Sequence, residues 1–430
     1  MPDVRSAASL EYNNRIGHLA PRRSLAFTVG VPTTISGLPD KWQFFVPDGG
    51  LRPVFSYEQG SDVWATRWDP LTEDFHQQPK GKVLEFAKHY AATEFYHLSA
   101  GAGGRRTTFE GLADHWHVFA HGYHWIAASL AYGSTGYGLV LVQFTVDADG
   151  LPHTVHRGLL YSPQSEDDYH QTAEGAREKL STNDLFLTPT PTGVAVGVYH
   201  RPETAKPGEP VAGMGTEIFQ VELASLETDL GSIRQWNVTR RSVVSTDDSG
   251  AFQHANGSSC TLSELEGAPY FRLLAAGEIV VNEPSELTLI VCDGSWDKVT
   301  EQLRISLPDT NVSMAMAAVV PGPTALPPWN PGWGEREAII YKQVHPLAKV
   351  GDGRQDFGDI FLWLRPAGLT GQGESGRPEH TGTVLYLGFG NRPHIAWWKE
   401  HLLVSYEHGR LEGNNIVSDG RVVVFPVRYW

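Results

Sequence analysis

The chain has very little cysteine and no long apolar run. Cys260 and Cys292 are the only two cysteines among 430 residues, which excludes the dense disulfide framework of small secreted domains. No stretch is long enough to cross a membrane as an apolar helix. The apolar segment 25–31 is short and ends at Pro32, so it does not have the form of a secretory signal. We therefore expect a cytoplasmic protein, with a mature secreted form as the alternative.

The chain also has no excess of basic residues. It carries 34 Lys and Arg against 49 Asp and Glu, for a formal net charge of -15. No basic patch stands out, which predicts that neither nucleic acid nor an anionic membrane surface is a partner. The G-x-S-x-G elbow, the phosphate-binding glycine loop, the H-E-x-x-H motif and the dinucleotide fingerprint are all missing. Their absence disfavours elbow-type hydrolase, nucleotide-binding and zincin chemistry.

Aromatic residues, glycine and proline are abundant instead. Aromatics make up 11% of the chain with 13 Trp, and there are 45 Gly and 28 Pro. Segments with the 3.6-residue apolar period of an amphipathic helix are almost missing. This combination favours many short strands joined by tight turns, and we predict an all-β fold.

Polar clusters rich in Asn and His lead into apolar strands at intervals along the chain. The intervals average roughly 68 residues, longer than the 40 to 50 of common propeller blades. The pattern predicts a β-propeller of five to seven blades with long inter-strand loops, built as one domain over residues 1–430. An N-terminal strand at about 24–31 is the candidate to complete the last blade. The clusters are Asp114 to His117, Asn183-Asp184, His254 to Asn256, Asn391 to His394 and, more weakly, Asn311 to Met314.

Strand entries of a propeller converge at one mouth of its channel, so these clusters form a candidate catalytic site. His115 and His117 share a face if their strand is extended, because side chains alternate with a period of two. His117 or His254 would serve as general acid or base, and Asp184 would orient a ring or act as a second carboxylate. His394 is the last residue of the cluster Asn391 to His394, and it completes the proposed catalytic set.

Other residues of the same pattern suit the binding of a polyhydroxylated substrate. The amides of Asn183, Asn256 and Asn391 would donate to ligand hydroxyl groups. Arg392, held before Pro393, would bind a carboxylate or instead form an ion pair within the fold. His115, within the first cluster, and Tyr123, which follows it, are further candidates for substrate binding. Two tryptophans in a proline-rich loop offer stacking surfaces for a sugar; they are Trp329 and Trp333.

Three functions follow from these residues. The first is an acid–base hydrolase or lyase that acts on a sugar-like small molecule or carbohydrate. The second is a metal-dependent enzyme in which His117, His254 and His394 hold one divalent ion as a cofactor. The third is a propeller that binds a ligand or protein without catalysis. Because the clusters differ in chemistry from one to the next, the pattern favours one asymmetric site over repeated equivalent sites.

Overall fold

A computed structural model describes the chain in segments, and β-strands dominate them. The prediction of an all-β fold is confirmed, since the described residues contain 25 strands, one 3-10 helix at Phe75–Gln77 and no α-helix. None of the described helices is long and apolar enough to cross a membrane. The described residues are 27–47, 52–60, 62–84, 96–97, 111–121, 124–133, 136–161, 178–190, 193–202, 215–222, 237–245, 258–265, 268–276, 284–293, 299–310, 312–320, 336–344, 357–365, 383–412 and 415–429.

The chain opens with two strands that pair with its very end, and then forms a first sheet of its own. The opening strands are β1 (Phe27–Val29) and β2 (Thr33–Leu38). The sheet that follows is antiparallel, and we name it sheet A. Its four strands are short and contain many apolar and aromatic residues. They are β3 (Lys41–Val46), β4 (Val54–Gln59), β5 (Asp62–Arg67) and β6 (Gly81–Leu84).

Three further sheets follow, and apart from β7 their strands are antiparallel and in chain order. Sheet B contains β7 (Tyr96–His97), β8 (Gly111–His121), β9 (His124–Gly133), β10 (Gly136–Val146) and β11 (Pro152–Tyr161), with β7 added in parallel beside β11. Sheet C contains β12 (Glu178–Thr190), β13 (Gly193–Pro202), β14 (Gly215–Glu222) and β15 (Asn237–Ser245). Sheet D contains β16 (Ser258–Leu265), β17 (Ala268–Ala276), β18 (Pro284–Asp293) and β19 (Val299–Thr310).

The last sheet, sheet E, has eight strands because two of its parts share one long strand. Residues 383–390 of that strand pair with the strand before it, and residues 390–398 pair with the strand after it. We name the two parts E1 and E2. E1 contains β20 (Val312–Val320), β21 (Arg336–Val344), β22 (Gly358–Arg365) and the first part of β23 (Thr383–Trp398). E2 contains the second part of β23, then β24 (His401–Glu412) and β25 (Asn415–Tyr429), with β1 and β2 both paired to β25.

In each of sheets A to D, and in each part of sheet E, one strand begins the antiparallel series. We call these six strands the leading strands, and they contact one another. They are β3, β8, β12, β16, β20 and the second part of β23. Contacts join β3 to β8, β8 to β12, β12 to β16, β16 to β20, β20 to β23, and β23 back to β3. Each leading strand therefore has two leading strands as neighbours.

E2 packs through both of its faces, because side chains alternate along its strands. One face contributes Leu402, Val404 and Val423 to a core cluster that also contains Ile340 and Ile360 of E1. The opposite face joins a second cluster that is rich in aromatic rings. The members of that second cluster from sheet A and its 3-10 helix are Phe45, Phe55, Tyr57, Trp68 and Phe75, and those from E2 are Ala396, Trp398, Leu403, Val422 and Val424.

Candidate functional site

The polar clusters found in the sequence fall on the leading strands. His115 and His117 lie on β8, Asn183 and Asp184 lie on β12, and Asn311 directly precedes β20. A further cluster lies on the second part of β23. The structure thus places these positions within or next to strands that contact one another.

Register shifts coincide with the polar clusters. They occur between Leu112 and Trp116 on β8, between Leu180 and Leu185 on β12, between Ser313 and Ala315 on β20, and between Asn391 and His394 on β23. Shifts occur in other strand pairs too, but these overlap the polar clusters of the leading strands. A β-bulge turns a side chain away from its regular direction and is frequent beside active sites. Bulged entries therefore allow polar side chains to leave the regular alternation.

The bulge on β23 is held in an unusual backbone conformation. Arg392 has φ 48°, in the left-handed region that costs a non-glycine residue about 1–2 kcal/mol. Gly390 lies just before it, and a β-carbon there would come within 2.5 Å of the Glu407 carbonyl oxygen and 2.7 Å of the Tyr406 ring. The close approach of β23 to β24 at this point therefore requires glycine.

Asn391 forms a hydrogen bond with a residue of E1. The Lys342 ammonium donates a hydrogen bond of 2.7 Å to Asn391 Oδ1, and both side chains are buried. A buried ammonium needs such an acceptor because it has left water. Lys342 lies on β21, so this contact joins the entry of E2 to the preceding half of the sheet.

Arg392 forms an ion pair within E2. Its Nη1 donates to Glu407 Oε2 at 2.7 Å, and the two side chains are 17% and 6% exposed. The Ser418 hydroxyl lies 3.0 Å from Glu407 Oε1 and 3.1 Å from Asp40 Oδ2. Burial raises the pKa of Glu407, and the Asp40 charge acts in the same direction, against Arg392 and the Ser418 hydrogen bond.

His394 lies at the boundary between E2 and sheet A. Its ring packs edge-on against Phe44, with ring centres 4.4 Å apart. Phe44 belongs to β3, the leading strand of sheet A, so the contact joins two leading strands. A histidine held this way has a fixed ring plane, which suits an acid–base role as well as a structural one.

A second group of titratable residues lies on the E2 face that packs toward E1. Arg421 Nη2 lies 3.1 Å from His408 Nδ1, which is also 3.3 Å from Asp419 Oδ1. Arg421 also donates to the Tyr406 hydroxyl at 3.3 Å, and that hydroxyl donates to the Leu387 carbonyl oxygen at 2.8 Å. Partial burial lowers the pKa of His408, Arg421 and Arg410 lower it further, and Asp419 raises it.

The structure describes some of the predicted site residues in full, others only through their backbone, and others not at all. His117, His115, Asn183 and Asp184 are placed by their strands, and their side chains lie outside the described part. Both Asn391 and Arg392 are committed to contacts within the fold; their roles toward a substrate stay predictions. Five predicted residues lie outside the described residues altogether: His254, Asn256, Tyr123, Trp329 and Trp333.

The residues that the sequence did not single out are Asp40, Lys342, Glu407 and Ser418. Asp40 directly precedes β3, and β3 has a register shift between Lys41 and Phe44. A polar residue directly before an apolar strand is the sequence signal that would have identified Asp40. Glu407 lies in β24 between the polar residues Ser405 and His408, so no local sequence signal distinguishes it. Within the described part, no group of three or more His, Cys, Asp or Glu could hold a metal ion.

Comparison with known proteins finds no matching family model and no matching curated sequence. Among solved structures, a phage phi92 endosialidase superposes with a TM-score of 0.46 and 9% identity over 94% of this chain and 69% of that chain. The polysaccharide lyase Uly1 gives 0.41 and 10% over 90% of each chain. A prolyl oligopeptidase B from Galerina marginata gives 0.31 and 12% over 89% of this chain and 47% of that chain. With every one of these TM-scores below 0.5, the likenesses assign no function.

Proposed function

We propose that the chain is a single six-bladed β-propeller, within the range of five to seven expected from the sequence. The blades are sheets A, B, C and D and the two parts E1 and E2. The cycle of contacts among leading strands supports this, because leading strands line the channel of a propeller and touch their two neighbours. The pairing of β1 and β2 with β25 supports completion of the last blade by the N-terminal segment.

The same proposal assigns the site to the mouth of the channel, with the polar clusters of the leading strands as its lining. The function that fits best is acid–base hydrolysis or elimination on a sugar-like, polyhydroxylated substrate. His117 and His254 are the proposed acid and base, with Asp184 orienting one ring and His394 facing the site from the last blade. The single observation that carries this proposal is the overlap of polar clusters with bulged entries on leading strands.

The contacts of the β23 entry refine the roles within this site. Asn391 and Arg392 are committed to Lys342 and Glu407, so they are best suited to holding the mouth in shape. Direct substrate contacts then belong to His115, Asn183 and the other entries. The aromatic side chains of Trp329 and Trp333 remain the proposed stacking surfaces for sugar rings.

Activity assays test this function directly. The purified protein is incubated with a panel of neutral and uronic-acid polysaccharides. New reducing ends report cleavage, and ultraviolet absorbance of an unsaturated product distinguishes elimination from hydrolysis. His117→Ala and His254→Ala should each abolish turnover while the thermal transition is nearly unchanged, and exposed His76→Ala is the matched control. Full turnover in both site variants would exclude the acid–base mechanism.

Metal analysis of the same preparations separates the multi-histidine alternative. A divalent ion near one equivalent that is lost in His117→Ala and His254→Ala would favour the metal-dependent enzyme. Binding of a polysaccharide from the panel with no product would favour the non-catalytic propeller.

A further inference from the structure

The Ser418 hydroxyl lies between two carboxyl groups at the boundary of sheet A and E2. Ser418 comes from β25, Glu407 comes from the neighbouring β24, and Asp40 comes from the two-residue link between β2 and β3. The oxygen distances are 3.0 Å to Glu407 and 3.1 Å to Asp40, both within hydrogen-bond range. The three side chains therefore form one continuous contact across the boundary.

The two contacts of the Ser418 hydroxyl can both be hydrogen bonds only if one of the carboxyl groups carries a proton. A serine hydroxyl has a single proton to donate, and an ionised carboxylate has none. If both carboxyl groups were ionised, only one of the two contacts could be a hydrogen bond. The other would bring two oxygen lone pairs together at about 3 Å, in a place where Glu407 is only 5% exposed. The negative charge of Asp40 favours the protonated form of Glu407.

We propose that Glu407 keeps its proton in the folded protein and that the resulting hydrogen-bond chain locks E2 to sheet A. The Oε1 hydroxyl of Glu407 donates to Ser418 Oγ, and Ser418 donates to Asp40 Oδ2. The Glu407 proton stays on Oε1, and no covalent bond is formed or broken. This lock is independent of the proposed enzymatic function.

The groups that face Glu407 are compatible with this arrangement. From β23, Arg392 donates to Oε2, the oxygen that carries no proton, so both contacts of Glu407 exist together. From the link before β3, Asp40 contributes a negative charge, and β25 contributes the neutral Ser418. Burial and the Asp40 charge raise the pKa of Glu407, and the Arg392 charge lowers it.

A raised folded pKa fixes the direction of the pH dependence. The stabilisation by the lock is fully present below the ordinary glutamic acid pKa of about 4.3. It is lost as the pH rises through the higher pKa of the folded state, because the unfolded chain releases the proton first. The unfolding equilibrium constant should therefore rise with pH in this window, by up to about tenfold per pH unit for one proton.

Chemical denaturation of the full chain between pH 4 and pH 8 tests the lock. Glu407→Gln imitates the protonated acid, because its amide NH2 donates to Ser418 and its oxygen accepts from Arg392. Relative to this variant, the wild-type unfolding constant should rise with pH above about 4.3 and then level off. Glu412→Gln is the matched control, since Glu412 lies on the same strand but is exposed and paired with Arg410 at 3.0 Å. It should keep the wild-type pH profile.

Infrared spectroscopy of the wild-type protein gives a second test that needs no variant. One carboxylic-acid C=O band should persist at a pH where the bulk of the carboxyl groups has ionised, and it should vanish on unfolding in denaturant. A band that titrates entirely with the bulk would overturn the proposal. So would a Glu407→Gln variant whose unfolding keeps the pH profile of the wild type.

Discussion

E2 meets its two neighbours in different ways. It is joined to E1 through the backbone, because β23 pairs with β22 along residues 383–390 and with β24 along residues 390–398. E2 and sheet A belong to separate hydrogen-bonded sheets, and the link between β2 and β3 connects them. The face of E2 toward E1 joins a mainly aliphatic cluster that also includes residues of sheet A. The opposite face packs against the tilted and edge-on aromatic rings of sheet A.

The polar contacts differ in the same way. At the E1 boundary, Lys342 and Asn391 form a hydrogen bond of 2.7 Å from an ammonium to an amide. At the sheet A boundary, two carboxyl groups, one hydroxyl and one guanidinium form a network that depends on a proton. The boundary without shared backbone is therefore the one whose side chains carry more of the connection, and we expect it to respond more strongly to substitution.

The largest effect is expected in the aromatic cluster. Trp68 is completely buried, its ring centre lies 5.2 Å from those of Phe55 and Phe75, and its indole donates to the Glu73 carbonyl oxygen. Trp68→Ala should lower the free energy of unfolding by about 4 kcal/mol, since it leaves a large cavity. Leu402→Ala at the E1 boundary should cost about 3 kcal/mol. Urea unfolding measures both.

The exposed Leu71 is the control for this comparison, and Leu71→Ala should stay within about 0.5 kcal/mol of the wild type. If Leu402→Ala costs clearly more than Trp68→Ala, the expected difference between the two boundaries is reversed.

A smaller effect is expected at Arg392, where charge and backbone conformation can be separated. Arg392→Ala removes the guanidinium that donates to buried Glu407 and should cost about 2 kcal/mol. Arg392→Gly loses the same guanidinium but relieves the φ of 48°, so it should be about 1 kcal/mol more stable than the alanine variant. Urea unfolding measures both variants. Equal stabilities of the two variants would exclude backbone strain at this position.

The smallest effect concerns pH at the opposite face of E2. Because the pKa of His408 is lowered in the fold, stability is present above its ordinary value of about 6.5 and is lost as the pH falls through the folded pKa. His408→Gln should remove this acid-side loss, as measured by thermal unfolding from pH 7.5 to pH 5. The Glu407 network has the opposite sign and weakens as pH rises. If exposed His76→Gln removes the same loss, the loss does not arise from His408.

Several elements could be predicted from the sequence because their causes are local. Residues 41–46 and 62–67 have the apolar and aromatic side chains that are typical of strands, and β3 and β5 form there. The polar clusters on β8, β12 and β23 were visible as polar residues just before or within apolar runs. Side-chain alternation and turn residues act over a few positions, so a single sequence contains that information.

The partners of the site residues could not be predicted, because they come from distant parts of the chain. Arg392 was equally compatible with a substrate carboxylate and with an ion pair, and only the register of β23 against β24 brings Glu407 to it. Ser418 and Asp40 are 378 residues apart in sequence. Likewise, nothing local indicates that Lys342 would end beside Asn391.

The sequence by itself determined an all-β chain with polar strand entries of unequal chemistry. Composition and short-range periodicity are sufficient for that, because they decide which segments can bury one face. Only the tertiary structure decided which strands lead their sheets, that β23 serves two parts of one sheet, and that Asp40, Ser418 and Glu407 meet. Those outcomes depend on strand pairing over long sequence separations, where register and packing select the partner.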